Sequence, residues 1–141
     1  MQNLLIPVDG SPSSIHALEA AIAVAASIEG AKLYVINVQM PILSGNVTRF
    51  FSAEDIHSYY EDEGRNALAP AQPILEACGQ DYTQEVVVGP IAMTIVEYAK
   101  KHDCHHIFMG KRGLGLVKGL VLGSVTTKVV SLSDIPVTLV K

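Results

Sequence analysis

The sequence has few of the features that mark several protein classes. It holds two cysteines, Cys78 and Cys104, in 141 residues, too few for a disulfide framework, so we interpret them as reduced thiols. No apolar run reaches the roughly 18 residues that a membrane-spanning helix needs. The start, MQNLLIPVDG, has no basic region and its apolar run breaks at Pro7, which is not typical of a signal peptide. These absences predict a cytoplasmic protein without a membrane partner.

The sequence also lacks an excess of cations. Ten Lys and Arg residues stand against fourteen Asp and Glu, a net charge of −4, which argues against a general nucleic-acid binder. Hydrophobic residues make up 49% and charged residues 17%, which excludes a disordered chain. The length suits one core, and no shift in composition marks a second domain. We therefore expect residues 1–141 to form a single domain.

Predicted strands alternate with predicted helices along the chain. Short apolar runs predict strands at about 3–8, 31–38, 83–89, 105–110 and 136–141. A first helix starts after the cap Ser11 and closes at Gly30; others start after Ser52, after Pro90 and at Ser124. The second of these helices should break between 64 and 73, because it contains prolines, and 39–52 is predicted as a loop. The pattern predicts an α/β protein, a doubly wound parallel sheet with helices on both faces.

A ligand site is expected where the strand order of such a sheet reverses. With the order 3-2-1-4-5 the reversal lies between strands 1 and 4. Strand 1 ends at PVDGS and strand 4 ends at MGKRG, the two most polar and loop-like strand ends. The order would bring them side by side, which predicts a binding site between them.

The segment 109–124, MGKRGLGLVKGLVLGS, contains five glycines, three cations and no acid. It matches neither a Walker A loop nor a Rossmann fingerprint. Its spacing is G-x2-G-x9-G-S, formed by Gly110, Gly113, Gly123 and Ser124. The last two open a helix, whose first amides are a ready anion site; Lys111, Arg112 and Lys118 would offset the charge of a phosphate. The alternative is a glycine-rich surface loop followed by a capped helix.

At these residues the sequence resembles the universal stress protein family, whose nucleotide-binding branch carries G-x2-G-x9-G-[ST]. The segments LIPVDGSPSS, VVVGPIAMTIVEYAKKHDCHHIFMGKRG and LVLGSVTTKVVSLSDIPVTLVK are similar to other parts of the family, so the resemblance covers nearly the whole chain. It implies a five-stranded sheet of order 3-2-1-4-5, ATP at the switch point and a homodimer. His105, His106, Lys111 and the prolines at 70 and 73 depart from the family pattern without touching the glycine spacing.

The resemblance also implies a set of site residues. The adenosine part of the pocket would be lined by Pro7, Val8, Asp9 and Val38, the ribose and phosphate side by Met109, Gly110, Arg112 and Gly113, and the phosphates would be held by Gly123, Ser124 and Val125. Asp9 suits a hydrogen bond from a ribose hydroxyl or the adenine amine, or a contact with Mg²⁺ through water. Its alternative role is to form the turn before Gly10.

Other polar clusters are assigned no chemistry. The run KKHDCHH holds possible metal ligands, but His105 and His106 are adjacent on a strand and point to opposite faces, so no metal site is predicted. The segment FFSAEDIHSYYEDEG predicts an amphipathic helix start on which a partner could dock. No nucleophile stands next to a base in a recognisable arrangement, so no catalytic residue is predicted.

The sequence and its resemblance together predict an ATP-binding, dimeric sensor or regulator of the stress response. The homodimer would form through the C-terminal strand 136–141, whose apolar residues predict burial on both faces, and a protein partner of unknown identity would sense the bound state. The alternatives are a slow ATP hydrolase and a nucleotide-free dimeric interaction module. Efficient turnover is not expected.

Overall fold

Five parallel strands alternate with helices in the computed structural model, which describes residues 2–42, 45–111 and 122–141. The strands are β1 (Asn3–Pro7), β2 (Lys32–Gln39), β3 (Asp81–Val88), β4 (His106–Gly110) and β5 (Val137–Val140). The helices are α1 (Pro12–Ala25), α2 (Gly45–Phe50), α3 (Ala53–Leu68), α4 (Gln72–Ala77), α5 (Ile91–Lys101) and α6 (Ser124–Leu132), with a 3-10 turn at Ala69–Ala71 between α3 and α4.

The sheet order is β3-β2-β1-β4-β5, so the predicted fold class and strand order are confirmed. β1 pairs with β2 and with β4, and all neighbouring strands are parallel. Two local predictions were wrong. Helix α1 ends at Ala25, short of Gly30, and the predicted loop 39–52 contains the helix α2. Gly30 lies in the following turn with a φ of +74°, which suits glycine.

The structure shows the physical causes of the predicted helix starts and of the predicted break. The Ser11 hydroxyl accepts a hydrogen bond from Ser14 N at the start of α1, where Pro12 takes the first helical position. Ser52 and Asp55 form a reciprocal capping box at the start of α3. The break after Leu68 follows from the prolines at 70 and 73, which cannot donate to the helical ladder.

Two apolar layers cover the sheet, because successive strand residues point to opposite faces. On one face Leu4, Ile6 and Leu33 pack with Leu18 of α1. On the other face Leu5, Ile36 and Ile107 pack with helices α5 and α6. Burial on both faces explains why β1 and β2 read as continuous apolar runs. Across residues 2–42, 45–111 and 122–141 no helix is both long and apolar enough to cross a membrane.

Strand β5 is an outer strand, and the prediction that both its faces are buried was wrong for the single chain. All four residues Val137–Val140 are half-buried. Thr138 hydrogen-bonds His106 of β4, with 2.6 Å between Oγ1 and Nε2, and the His106 ring stacks on Phe108 at 4.5 Å. Burial lowers the pKa of His106 from its ordinary value. Strand β5 is thus attached to β4 through its inner edge, while its residues are incompletely covered.

Helix α1 approaches the end of β4 more closely than any side chain would allow. A Cβ placed on Gly110 would lie 2.7 Å from Ser13 Oγ, 2.9 Å from Ser13 C and 2.9 Å from Ser14 N. Two of these atoms are backbone and cannot rotate away. Glycine at 110 is therefore required by the packing of α1 on the sheet.

We expect Gly110→Ala to lower the free energy of unfolding by about 1–3 kcal/mol, the usual cost of overpacking a tight contact. Gly45→Ala is the matched control, because nothing lies within 4 Å of a Cβ there and its effect should stay within about 0.5 kcal/mol. Urea denaturation of both variants measures the difference. Equal stability of the two variants would contradict the close approach.

Candidate functional site

A cavity of about 240 Å³ lies at the point where the strand order reverses. Its walls come from the carboxyl ends of β1, β2 and β4, the starts of α1 and α5, and the start of α6. The lining residues are Pro7, Val8, Asp9, Ser11, Ser14, Asn37, Val38, Ile91, Ile95, Met109, Gly110, Gly123, Ser124, Val125 and Thr126. The two strand ends singled out in the sequence, PVDGS and MGKRG, therefore meet at one cavity.

The structure brings together nine of the predicted site residues around this cavity: Pro7, Val8, Asp9, Val38, Met109, Gly110, Gly123, Ser124 and Val125. The two others, Arg112 and Gly113, lie outside the described residues, and so does Lys118. Sequence reasoning missed Ser11, Ser14, Asn37, Ile91, Ile95 and Thr126, which also line the cavity.

Asp9 lies at the cavity wall and also forms the turn that leads into α1. Its Oδ1 accepts a hydrogen bond of 2.9 Å from Ser11 N. Gly10, between them, has a φ of +86°, a conformation that glycine adopts without strain. The turn-forming role considered for Asp9 is therefore present, and it fixes the carboxylate at the edge of the cavity.

Asn37 is a buried polar side chain that holds the ends of β1 and β2 together. Its Nδ2 donates to Val8 O at 2.8 Å, and its Oδ1 accepts from Gln39 Nε2 at 2.6 Å. Val8 N in turn donates to Ile36 O at 2.7 Å. Because both the amide and the carbonyl of Val8 are bound, the peptide that forms this wall of the cavity has a fixed orientation.

Gly110 lies both at the cavity and at the contact between β4 and α1. The resemblance places it on the ribose and phosphate side of the pocket, and the position of its missing Cβ faces Ser13 and Ser14 of α1. Its carbonyl accepts a 3.0 Å hydrogen bond from Thr126 Oγ1. Gly110 lines the cavity while its Cα hydrogens make room for the helix, so its requirement for glycine comes from packing.

The start of α6 forms the polar end of the cavity. Gly123 caps the helix with extended backbone, and Gly123 O accepts from Thr127 N at 3.0 Å. Gly123 N donates to Lys111 O at 3.1 Å, which joins the two ends of the glycine segment. The amides of the first helical turn, from Ser124 onward, have no acceptor within the helix. They give the helix start its affinity for anions.

The cavity is apolar at one side and polar at the other. Val8, Val38, Ile91, Ile95 and Met109 supply the apolar walls. Among the described residues that line it, Asp9 is the one with a formal charge. Such a cavity can hold a flat apolar group against the aliphatic side chains, with a hydrogen-bonding group at Asp9 and an anion at α6.

The cluster around 102–106 is occupied by structural hydrogen bonds. His105 Nδ1 accepts from Asn3 N at 3.0 Å, and His102 Nδ1 lies 3.1 Å from Tyr98 O. Burial, with a smaller effect of Asp103, raises the pKa of Cys104 to about 11, so this thiol is a poor ligand and a poor nucleophile. In the part of the chain that the structure describes, no three His, Cys, Asp or Glu side chains converge on one point.

The sheet order and the cavity at its reversal define a doubly wound α/β protein. The model of the universal stress protein family matches residues 1–141. The chain therefore belongs to the universal stress protein family, as the glycine spacing predicted.

Known relatives cover nearly the full chain. A universal stress protein of Methanocaldococcus jannaschii is 31% identical over 140 residues, which are 99% of this chain and 82% of that protein. The structure of a universal stress protein from Lactobacillus plantarum superposes with a TM-score of 0.81 at 23% identity, over 99% of this chain and 97% of that one. A universal stress protein in complex with cAMP superposes with a TM-score of 0.73 at 27% identity, over 99% and 97% of the two chains.

Proposed function

We propose that the cavity binds an adenine nucleotide, ATP, and that the protein is a dimeric regulator whose state depends on that nucleotide. The observation that carries the proposal is the cavity itself, in which the ends of β1 and β4 face the start of α6. A relative of the same fold was solved with cAMP, and a bound adenine nucleotide there supports the same class of ligand here.

The adenosine part would occupy the apolar side of the cavity. Val8, Val38 and Ile95 present aliphatic surface to a heterocycle. The volume of about 240 Å³ is just below the range of roughly 300–1,000 Å³ for sites of drug-sized ligands. A nucleoside would therefore fill the cavity, and the phosphates would meet the first turn of α6 at its rim, where Ser124 is exposed.

The charges around the cavity indicate where the ribose and the phosphates of the nucleotide would lie. Asp9 would repel phosphate but can accept a hydrogen bond from a ribose hydroxyl, so it belongs to the ribose side. The cations Lys111, Arg112 and Lys118 belong to the glycine segment that ends at α6 and would offset the charge of the phosphates. A Mg²⁺ ion on those phosphates suits Asp9 only as a contact through water, because Mg²⁺ keeps several waters and needs few carboxylates.

We expect Gly123→Val to abolish ATP binding, because an isopropyl group at the helix cap would fill the space for phosphate. The same holds for Gly113→Val if the glycine spacing serves the phosphates. Gly45→Val, at a glycine with nothing within 4 Å of a Cβ, is the control and should bind like the parent. Calorimetric titration with ATP, AMP, cAMP and GTP measures affinity and base preference; variants at 113 and 123 that bind as tightly as the parent would show that the site lies elsewhere.

Turnover of bound ATP should be negligible. Neither a His nor a Glu is among the described residues that line the cavity. The carboxylate there, Asp9, accepts from Ser11 N and is assigned to the ribose side, so we expect no general base beside the phosphates. Phosphate release from purified protein should stay far below the roughly 1–1,000 per second of a typical enzyme. Release at such rates that is lost in Asp9→Asn would overturn this expectation and favour the ATP hydrolase.

The homodimer would form by antiparallel pairing of β5 with the same strand of a second subunit. Ile107 N donates to Pro136 O at 3.0 Å and Lys111 N donates to Val140 O at 2.7 Å. Since backbone groups alternate in direction along a strand, the N–H and C=O groups of Val137 and Leu139 point to the outer edge. An apolar edge with free backbone groups favours a strand partner.

We expect Leu139→Pro to convert a dimeric parent into a monomer, because proline removes an outward donor while leaving the hydrogen bonds to β4 in place. Leu139→Ala shortens the same side chain and keeps the donor, so it should remain dimeric. Sedimentation velocity of the three proteins, with thermal melts to confirm folding, measures the difference. A parent that sediments as a monomer at micromolar concentration with ATP present would refute the pairing.

A short hydrogen-bonded path connects the cavity to this edge and supports a regulatory role. Gly123 N donates to Lys111 O, and Lys111 N donates to Val140 O. Ser13 Oγ also donates to Val140 O, at 2.8 Å. A ligand held at Gly123 is therefore two peptide groups away from the edge strand, and its binding would be coupled to the surface that a second subunit or a protein partner contacts.

A further inference from the structure

We propose that an exposed apolar corner beside α3 docks a basic, amphipathic segment of a partner protein. This aromatic corner consists of Met40, Phe50, Phe51, Tyr59 and Val88, all of them exposed. It is separate from the nucleotide cavity and from the β5 edge, so the inference goes beyond the proposed function and does not depend on it.

The exposure of the aromatic corner is unusual for residues of this kind. Phe50 is 76% exposed, Met40 is 64% exposed and Phe51 is 54% exposed. Single exposed apolar residues are common, whereas neighbouring ones mark an interaction surface. Phe50 and Phe51 are adjacent in the chain, and Met40 and Val88 lie at the ends of two paired strands. Two phenylalanines in succession cost solubility unless something covers them.

Hydrogen bonds and strand pairing bring the segments of the corner together. Gln39 is in register with Val88, and Gly89 N donates to Gln39 O at 3.0 Å. Val88 and Met40, which follows Gln39, therefore lie at the ends of two paired strands. Ile42 N donates to Tyr60 Oη at 2.6 Å, which fastens the segment after Met40 to α3. Phe50 ends α2, and Phe51 stands between it and Ser52, the cap of α3.

Carboxylates flank the aromatic residue Tyr59 along α3. Tyr59 has Asp55 one turn before it and Asp62 and Glu63 one turn after it, positions that are neighbours on a helix surface. All three acids are exposed. Helix α3 holds five acidic residues (Glu54, Asp55, Glu61, Asp62 and Glu63) and one cation, Arg65. The Arg65 guanidinium lies 3.9 Å from Glu61, and the exposed Arg49 of α2 precedes Phe50. Five acids against two cations leave α2 and α3 together with a net charge of −3.

The combination of exposed apolar side chains and carboxylates determines which kind of partner fits the aromatic corner. Lys and Arg side chains satisfy carboxylates with their charged ends, and they pack on aromatic rings through cation–π contact. Leucine-like residues of the same segment would cover Phe50 and Phe51. A second copy of this chain is disfavoured, because it would bring one acidic helix against another. The partner of best fit is a helix with one basic and one apolar face.

The test is a titration of the full chain, without nucleotide, with a fluorescent amphipathic peptide of about 18 residues made of Leu and Lys. We expect saturable binding at micromolar peptide, read by fluorescence anisotropy, that weakens as salt rises. The matched Leu and Glu peptide should not bind. Because nucleotide is absent, failure here leaves the proposed ATP site untouched, and failure of ATP binding leaves this surface untouched.

Paired variants assign the binding to the corner. Phe50→Ser with Phe51→Ser should weaken the Leu and Lys peptide by about tenfold or more, as expected for central apolar contacts. Asp62→Asn with Glu63→Gln should weaken it less and flatten its salt dependence. The control is Val130→Ser with Leu132→Ser, which removes exposed apolar side chains of α6 and should leave affinity unchanged.

Three results would overturn the proposal. One is the absence of saturable binding up to about 100 μM peptide, a level at which even weak complexes form. Another is equal binding to the Phe50/Phe51 and Val130/Leu132 variants. The third is a change of sedimentation in the Phe50/Phe51 variant from a larger to a smaller species, which would make the corner a contact between copies of this chain.

Discussion

The close approach of α1 to the end of β4 is the constraint on which the rest of the site depends. At Gly110 the backbone of Ser13 and Ser14 occupies the position of a side chain. The Ser13 hydroxyl then reaches Val140 O, and the Thr126 hydroxyl reaches Gly110 O. Four elements, α1, β4, β5 and α6, are thereby fixed to one another at a single strand end. The cavity is the space that this junction leaves beside β1, so its shape is set by packing before any ligand enters.

The same junction explains why the glycines of one motif can have different structural roles. Gly110 and Gly123 belong to one spacing, yet the structure gives them different tasks: Gly110 admits a helix, whereas Gly123 caps one and borders the cavity. A glycine spacing predicts that other atoms approach the glycines closely, but it does not show whether those atoms belong to the protein backbone or to a ligand. Only the structure distinguishes the two, because the atoms nearest to Gly110 come from a helix almost a hundred residues earlier in the chain.

Much of the fold was predictable because its causes are local. Ser11 with Pro12, the box of Ser52 with Asp55, and the proline break after Leu68 each depend on a few adjacent residues. The switch-point cavity followed from the strand order. Asn37 could not be assigned, because a buried polar residue that binds Val8 and Gln39 looks in sequence like one that faces solvent. The burial of β5 was overestimated. Apolar composition shows that a strand is able to be buried, but it does not show whether another part of the chain covers it.

The cavity and the aromatic corner differ in their charge, although both lie at the ends of the same strands. Val38 lines the cavity and Met40 belongs to the corner; Ile91 lines the cavity and Val88 belongs to the corner. Inside, one carboxylate is held in a turn and the walls are aliphatic. Outside, carboxylates flank Tyr59 along an exposed helix face. Both sites lie at the carboxyl edge of one sheet, so the ends of β2 and β3 and the start of α5 present aliphatic walls to the cavity on one side and exposed apolar side chains to water on the other. The fold therefore separates a site suited to an anion from a surface suited to a cation, although the two have neighbouring strand ends in common.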